Sequence, residues 1–219
     1  MTIALVLRDV RGAAASGFML WASPFFFLLM LGALTLSLGQ DALQVPRALA
    51  GSTWVALTLG TVLTLTESFK EDKTGGVLDY LFVSGVTPTT IAAARVISSY
   101  LTVIVPICAV ASLTLFVLTS EASVFVTCLP ILLVGGAGLA AYCAVCAALL
   151  SSSGLSGLVA LVVVLPLISP LLIFGTDALE RSVMSEAYAT PLLGLAGWSL
   201  ASMVVGILAS GAALRVGSE

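Results

Sequence analysis

Five long stretches of this chain carry no charged residue, and they constrain its fold more than any other feature. They cover residues 12–40, 48–66, 96–120, 122–176 and 187–214. A helix of about 20 apolar residues crosses a hydrocarbon core about 30 Å thick. Because only 9% of the residues are charged and 60% are hydrophobic, lipid is the expected solvent.

The stretch 122–176 is too long for one crossing, and a cluster of Ser and Gly residues at 151–157 predicts a tight hairpin inside it. We therefore predict an all-α integral membrane protein with a single domain over residues 1–219. Its six spans are expected at 18–38, 48–66, 95–119, 124–150, 155–175 and 191–214.

The basic residues of the loops predict the orientation, because cytoplasmic loops are enriched in Lys and Arg. The loops on the side away from the two termini contain only Arg47 and Arg181. The loops on the side of the two termini contain Arg8, Arg11, Lys70, Lys73, Arg95 and Arg215. Both termini are therefore expected in the cytoplasm.

Apolar residues recur at helical spacing before the first span, while Arg8 and Arg11 lie on another face. This pattern favours a short N-terminal helix in the membrane interface. The alternative is a plain extension of the first span.

Several kinds of chemistry are excluded. The chain has no histidine, which removes His-based nucleophile pairs, imidazole zinc sites and bis-His heme ligation. It has no GxxxxGK[ST] motif, so ATP would be bound by a separate chain. Cys143 and Cys146 form a CxxC at membrane depth without a second pair, so we interpret them as packing residues. No catalytic, metal or cofactor site is predicted.

The spans contain almost no acidic or basic residues, and their polar residues are mainly Ser and Thr. Such hydroxyls can donate to a backbone carbonyl one turn earlier. Because ion-coupled carriers usually place ionisable residues inside the spans, this pattern disfavours a proton- or sodium-coupled transporter.

One concentrated cluster of charge lies between the second and third spans and contains Glu67, Lys70, Glu71, Asp72 and Lys73. Inserting five charges at mid-bilayer would cost roughly 12 to 17 kcal/mol, so the segment must lie outside the membrane. The apolar residues that follow, including Leu78 and Leu81, predict an amphipathic helix. It would either dock into a groove of a partner protein or be a solvated loop that only orients the chain.

Two spans carry further signals. The fourth has a small-residue stripe for close helix packing, within the chain or between subunits, at Gly136, Ala140, Ala144 and Ala148. In the fifth, Pro166 and Pro170 each remove a backbone donor, which predicts a helix that is kinked or broken near the outer face. A short external helix or hairpin is expected after it, around Asp177, Glu180, Arg181 and Glu186.

Three segments resemble the CcmB family, heme exporter protein B of the cytochrome c maturation system. The loop resembles the family pattern F-[RK]-x-D-x-x-x-G-x-L-[DE]-x-L. The matching residues are Phe69, Lys70, Asp72, Gly76, Leu78, Asp79 and Leu81. The basic residue that follows the pattern in the family corresponds to Arg95. Residues 165–175, LPLISPLLIFG, resemble its LPL-x-x-PLLIF segment, and residues 212–215 resemble its closing AALR. One departure is the loop 151–157, where many relatives carry basic residues and this chain has none.

The resemblance implies a six-span permease of the ABC-2 exporter type in a bacterial inner membrane, paired as a dimer. It implies a docking segment for the ATPase subunit CcmA, the coupling helix, that includes Glu71 with the seven loop residues above. The implied complex also contains CcmC, CcmD and the heme chaperone CcmE. ATP would be hydrolysed on the partner, and heme would be handled by the complex. The missing histidine fits a mechanical role better than heme ligation.

Two other hypotheses are compatible with the sequence. The same architecture could serve as the permease of another ABC exporter, for a drug, a lipid or a glycan. Alternatively, the chain could be a membrane scaffold that assembles partners without moving with ATP.

Overall fold

The chain folds as a bundle of helices. The computed structural model describes residues 2–16, 18–38, 45–65, 77–153 and 157–216, and every regular element in those ranges is helical. In chain order the helices are α1 Thr2–Ser16, α2 Phe18–Leu38, α3 Pro46–Leu65, α4 Val77–Val83, α5 Pro88–Thr119, α6 Ala122–Ser153, α7 Gly157–Val183 and α8 Ala189–Val216.

The six long helices correspond to the six predicted spans. Four of them, α3, α5, α6 and α8, are long and apolar enough to cross a membrane, and Trp21–Ser37 within α2 forms a shorter apolar helix. The fifth predicted span lies in α7, whose 27 residues extend about 40 Å. The bounds predicted for the first span, 18–38, coincide with those of α2.

The two ends of the bundle are distinguished by their contacts. Asp9 of α1 contacts Ser98 of α5, and Gly211 of α8 packs against Thr89 of α5. We call this end, near both chain termini, the proximal end. The opposite end is the distal end, where residues 120–121 connect α5 to α6 and residues 184–188 connect α7 to α8.

The helix α6 lies in the middle of the bundle and packs against α3, α5, α7 and α8. Glycines allow these close approaches, because a Cβ on Gly136 would collide with Ile104 of α5. One on Gly138 would collide with Leu171 of α7. Small residues are the usual means of close helix packing in membranes.

Trp54 of α3 is the largest fully buried side chain. Its indole fills a slot between Gly135 of α6 and Gly175 of α7. A Cβ on Gly175 would lie 2.5 Å from the Cε2 atom of Trp54. The three helices therefore meet on one aromatic ring, and both glycines are needed to admit it.

Several buried hydroxyl groups donate to a carbonyl of their own helix. Thr53, Thr58 and Thr61 donate to the carbonyls of Leu49, Trp54 and Leu57, at 2.8, 2.8 and 2.7 Å. In α5, Ser112 donates to the Cys108 carbonyl at 2.8 Å. These bonds confirm the expected return of Ser and Thr hydroxyls to the preceding turn.

The helix α7 runs without interruption through Pro166 and Pro170, so it is not broken there, whereas the predicted kink stays a prediction. Each proline removes one helical hydrogen bond, which is a local loss. Ile168 and Leu171 are buried in the core and hold this part of the helix in place. Pro166 itself is exposed on the side of the bundle.

The prediction of a separate external helix after residue 175 is wrong. Asp177, Glu180 and Arg181 belong to the last turns of α7, where Arg181 Nε donates to Asp177 Oδ1 at 3.0 Å. This pairing of residues i and i+4 continues the helix past the apolar stretch. The helix ends at Val183, two residues before Ser185, which has a φ of 57°, and the Glu186 amide donates to the Arg181 carbonyl as in a Schellman motif.

The helix that contains the third predicted span begins at Pro88, before the predicted start of that span at residue 95. Thr87 caps the helix by accepting from the Thr90 amide, and Pro88 occupies the first turn. The uncharged stretch behind the prediction begins after Arg95, whereas α5 also includes the uncharged residues 88–94 on the other side of that charge.

Candidate functional site

The short helix α4 is the described part of the predicted coupling helix. Tyr80 and Val83 are 72% and 88% exposed, whereas Leu81 is buried. Leu81 and the partly buried Val77 therefore hold the helix against the bundle, while Tyr80 and Val83 face its surroundings. The side chains of Leu78 and Asp79 lie outside the description, as do the predicted docking residues Phe69, Lys70, Glu71, Asp72 and Gly76 in their entirety.

A tight connection joins α4 to α5. The Val86 amide donates to the Leu81 carbonyl at 3.1 Å, and Gly85 adopts a φ of +75°. Leu81 and Val86 are both buried, as in a Schellman motif closed by an apolar contact. Because Thr87 caps α5 immediately afterwards, little of the chain between the two helices is free to bend.

The Gly85→Ala variant is expected to lose about 1 kcal/mol of stability, since a Cβ is disfavoured in the left-handed region. Thermal unfolding of the purified protein in detergent measures the effect. Gly51→Ala is the matched control, because Gly51 lies in α3 and a Cβ there would meet no atom within 4 Å. An equal melting temperature for the two variants would show that the connection adapts freely.

Three elements converge on the start of α5 at the proximal end. Thr89 packs against Gly211 near the end of α8, where a Cβ would approach the Thr89 Cγ2 atom to 2.8 Å. On the other side, Arg95 Nη1 lies 3.3 Å from Asp9 Oδ2 of α1. The connection from α4 leads into the same helix. The start of α5 therefore contacts both α1 and α8 and is joined directly to α4.

Further along α5, residues Tyr100–Ile104 form a π-helical turn. Pro106 follows it and lacks the amide that would continue a regular helical ladder. Neighbouring helices contact this turn: the Tyr100 hydroxyl donates to the Leu133 carbonyl of α6 at 3.3 Å. Ser23 Oγ of α2 lies 3.5 Å from the Val103 carbonyl oxygen. Single π-turns are frequent at functional sites and local hinges.

The predicted small-residue stripe lies in the interior of the helix bundle. Ala140, Ala144 and Ala148 are buried, and Gly136 packs on Ile104. Cys143 and Cys146 are buried as free thiols. Within the described ranges, no group of three or more His, Cys, Asp and Glu side chains could hold a metal ion.

At the distal end, a cavity of about 450 Å³ opens between α3 and α7. Arg47 lines it together with Phe174, Asp177 and Glu180. The cavity therefore combines an apolar wall with charges of both signs. It does not include Pro166 or Pro170.

Asp9 is the site residue that the sequence did not single out. It is the one acidic residue of α1, between Arg8 and Arg11, and its partner Ser98 is 89 positions away along the chain. An isolated acid in a basic helix was the available signal. Its partner could not be identified from local spacing.

The fold and its proximal site define a multi-pass helical membrane protein with a short, partly exposed helix at one end. Comparison with known proteins then identifies the family. The model described as CcmB protein matches residues 1–217, so the chain belongs to the CcmB family.

Curated relatives named heme exporter protein B are similar over nearly the whole chain. The Rhodobacter capsulatus protein is 28% identical over 213 residues, covering 97% of this chain and 98% of the relative. The Paracoccus denitrificans protein is 29% identical with the same coverage. The Haemophilus influenzae protein is 25% identical and covers 97% and 96% of the two chains.

Proposed function

We propose that this chain is the permease subunit of an ABC-type heme-export complex that serves cytochrome c maturation. The main support is the agreement of the family with the proximal site, where an exposed short helix is joined tightly to a long helix of the bundle. Heme is the cargo of the complex, and the chain itself has no nucleotide motif. It lies in the bacterial inner membrane with its proximal end in the cytoplasm.

In this mechanism a separate ATPase subunit, CcmA in the family, docks on the segment from Phe69 to Leu81. The exposed residues Tyr80 and Val83 extend that surface. Because the joint at Gly85 leaves little slack, movement of the docked ATPase displaces the start of α5. The bundle passes this movement to the distal end, where the complex with CcmC and CcmD releases the heme-loaded chaperone CcmE.

Two experiments test the proposal as a whole. One is deletion of the gene, and the other is purification of the tagged protein from a strain that produces it. We expect loss of c-type cytochromes on deletion. In mild detergent, an ATPase and a heme-binding membrane subunit should copurify. Normal c-type cytochromes after deletion, with a different ATPase bound, would indicate another ABC exporter. Partners that remain bound without any effect of nucleotide would indicate a scaffold.

Replacement of Asp72 by Asn, or of Gly76 by Val, tests the coupling segment. Replacing a residue at the centre of a docking surface lowers affinity about tenfold or more. We therefore expect c-type cytochrome yield to fall by a similar factor while the protein remains in the membrane. Asp41→Asn, a charge removal between α2 and α3 in the sequence, is the matched control. Normal ATPase binding together with normal yield in the Asp72 and Gly76 variants would refute the assignment.

A further inference from the structure

The carboxylate of Asp9 joins two helices that are far apart in sequence. Its Oδ1 atom accepts from Arg8 at 2.7 and 2.9 Å, within α1. Its Oδ2 atom faces α5, where Arg95 Nη1 and Ser98 Oγ both lie at 3.3 Å. The two oxygens therefore have different roles, one within α1 and one across to α5.

The pair between Asp9 and Arg95 is well shielded from solvent. The two side chains are only 12% and 14% exposed, whereas Arg8 is 44% exposed. A shielded ion pair adds little net stability, because desolvation offsets the attraction, but removing one partner is costly. Such a pair is best suited to hold two elements in a defined register.

Its position along α5 gives that register a mechanical meaning. Arg95 and Ser98 lie between the α4 joint, which ends at Pro88, and the π-turn that begins at Tyr100. Ile104, the last residue of the turn, and Ile107 beyond it are fully buried, and Ala92 and Val96 before the turn are buried as well. Asp9 thus contacts the segment Pro88–Ser99, which receives the displacement of α4 and lies ahead of the local hinge.

We propose that Asp9 is a positioning residue that makes α1 and the segment Pro88–Ser99 move as one body during the ATP-driven step. The inference rests on the proposed function. Through this contact, α1 adds its length to the lever that the ATPase moves. The π-turn is the point at which this body rotates against the rest of α5.

Spin labels test the joint movement directly in the purified complex. Leu7→Cys in α1 and Ile97→Cys in α5 are exposed sites on the two partners, and Val117→Cys reports on the distal part of α5. The native cysteines are buried and should not be labelled. With an ATP analogue, we expect the distance between labels at 7 and 97 to stay constant and that between labels at 7 and 117 to change. A nucleotide-dependent change between 7 and 97 would overturn the proposal.

The Asp9→Asn variant provides the second measurement. We expect it to bind the ATPase, to broaden the distance distribution between 7 and 97, and to lower c-type cytochrome yield about tenfold. Asp9→Glu should recover part of the yield. Glu121→Gln, which removes an exposed charge at the connection of α5 to α6, is the matched control. Normal yield and a narrow distribution in Asp9→Asn would refute the role of Asp9.

Failure of the proposed function would look different. In that case the wild-type protein would copurify no ATPase, and neither distance would respond to nucleotide. The broadening caused by Asp9→Asn would still show whether Asp9 ties α1 to α5.

Discussion

The Gly175→Ala variant is expected to melt at a markedly lower temperature than the parent protein. Its new Cβ would lie 2.5 and 2.6 Å from the Cε2 and Cζ2 atoms of Trp54. The indole cannot move aside, because it is fully buried and Gly135 confines its other edge. Overpacking of this kind costs about 3 kcal/mol. We therefore expect the melting temperature in detergent to fall by about 6 to 12 °C.

Gly197→Ala is the control for this variant, because a Cβ at Gly197 in α8 would meet nothing within 4 Å. It should be neutral or slightly stabilising. The double variant Gly175→Ala with Trp54→Phe should be less destabilised than the sum of its parts, since the smaller ring makes room. Strict additivity would show that the collision with Trp54 is not the cause.

The Val83→Asp variant is expected to lose the ATPase while the bundle stays folded. Val83 is 88% exposed on α4, so the change leaves the core intact, but it places a charge within the proposed docking face. Removing an apolar side chain from the centre of an interface weakens binding by about tenfold or more. Copurification of the ATPase, scored against the amount of permease, measures the effect.

Ile3→Asp is matched to this variant in chemistry and exposure. Ile3 lies on α1 at the same end of the bundle and is 83% exposed. We expect it to retain the ATPase. Equal retention by both variants would place the docking surface elsewhere, and equal loss would point to a general effect of negative charge at the proximal end.

The transmembrane part of the fold could be predicted well because transfer into lipid depends on each residue and its near neighbours. The first span coincides with α2, and the remaining long helices correspond to the other predicted spans. Errors occurred where helix and hydropathy separate. Arg95 separates the start of α5 from the uncharged stretch that follows it, and Asp177 precedes the charged end of α7, so the uncharged stretches included neither helix end.

The candidate site was only partly accessible from sequence. The charge cluster predicted a segment outside the membrane, and α4 follows it with the expected amphipathic division between Leu81 and Val83. The π-turn could not be predicted, because Pro106 alone does not specify how the preceding turn adapts. The prolines at 166 and 170 predicted a kinked or broken helix. The helix α7 continues through both of them, and it packs against the core there.

Composition and short patterns were enough to predict an all-helical membrane protein and its resemblance to the family. These properties depend on neighbouring residues, so they can be read locally. The slot that Trp54 fills between Gly135 and Gly175, and the pairing of Asp9 with Arg95, emerged only from the folded bundle. Such contacts depend on which helix faces are brought together. Many helix arrangements satisfy the same hydropathy, and close packing selects among them.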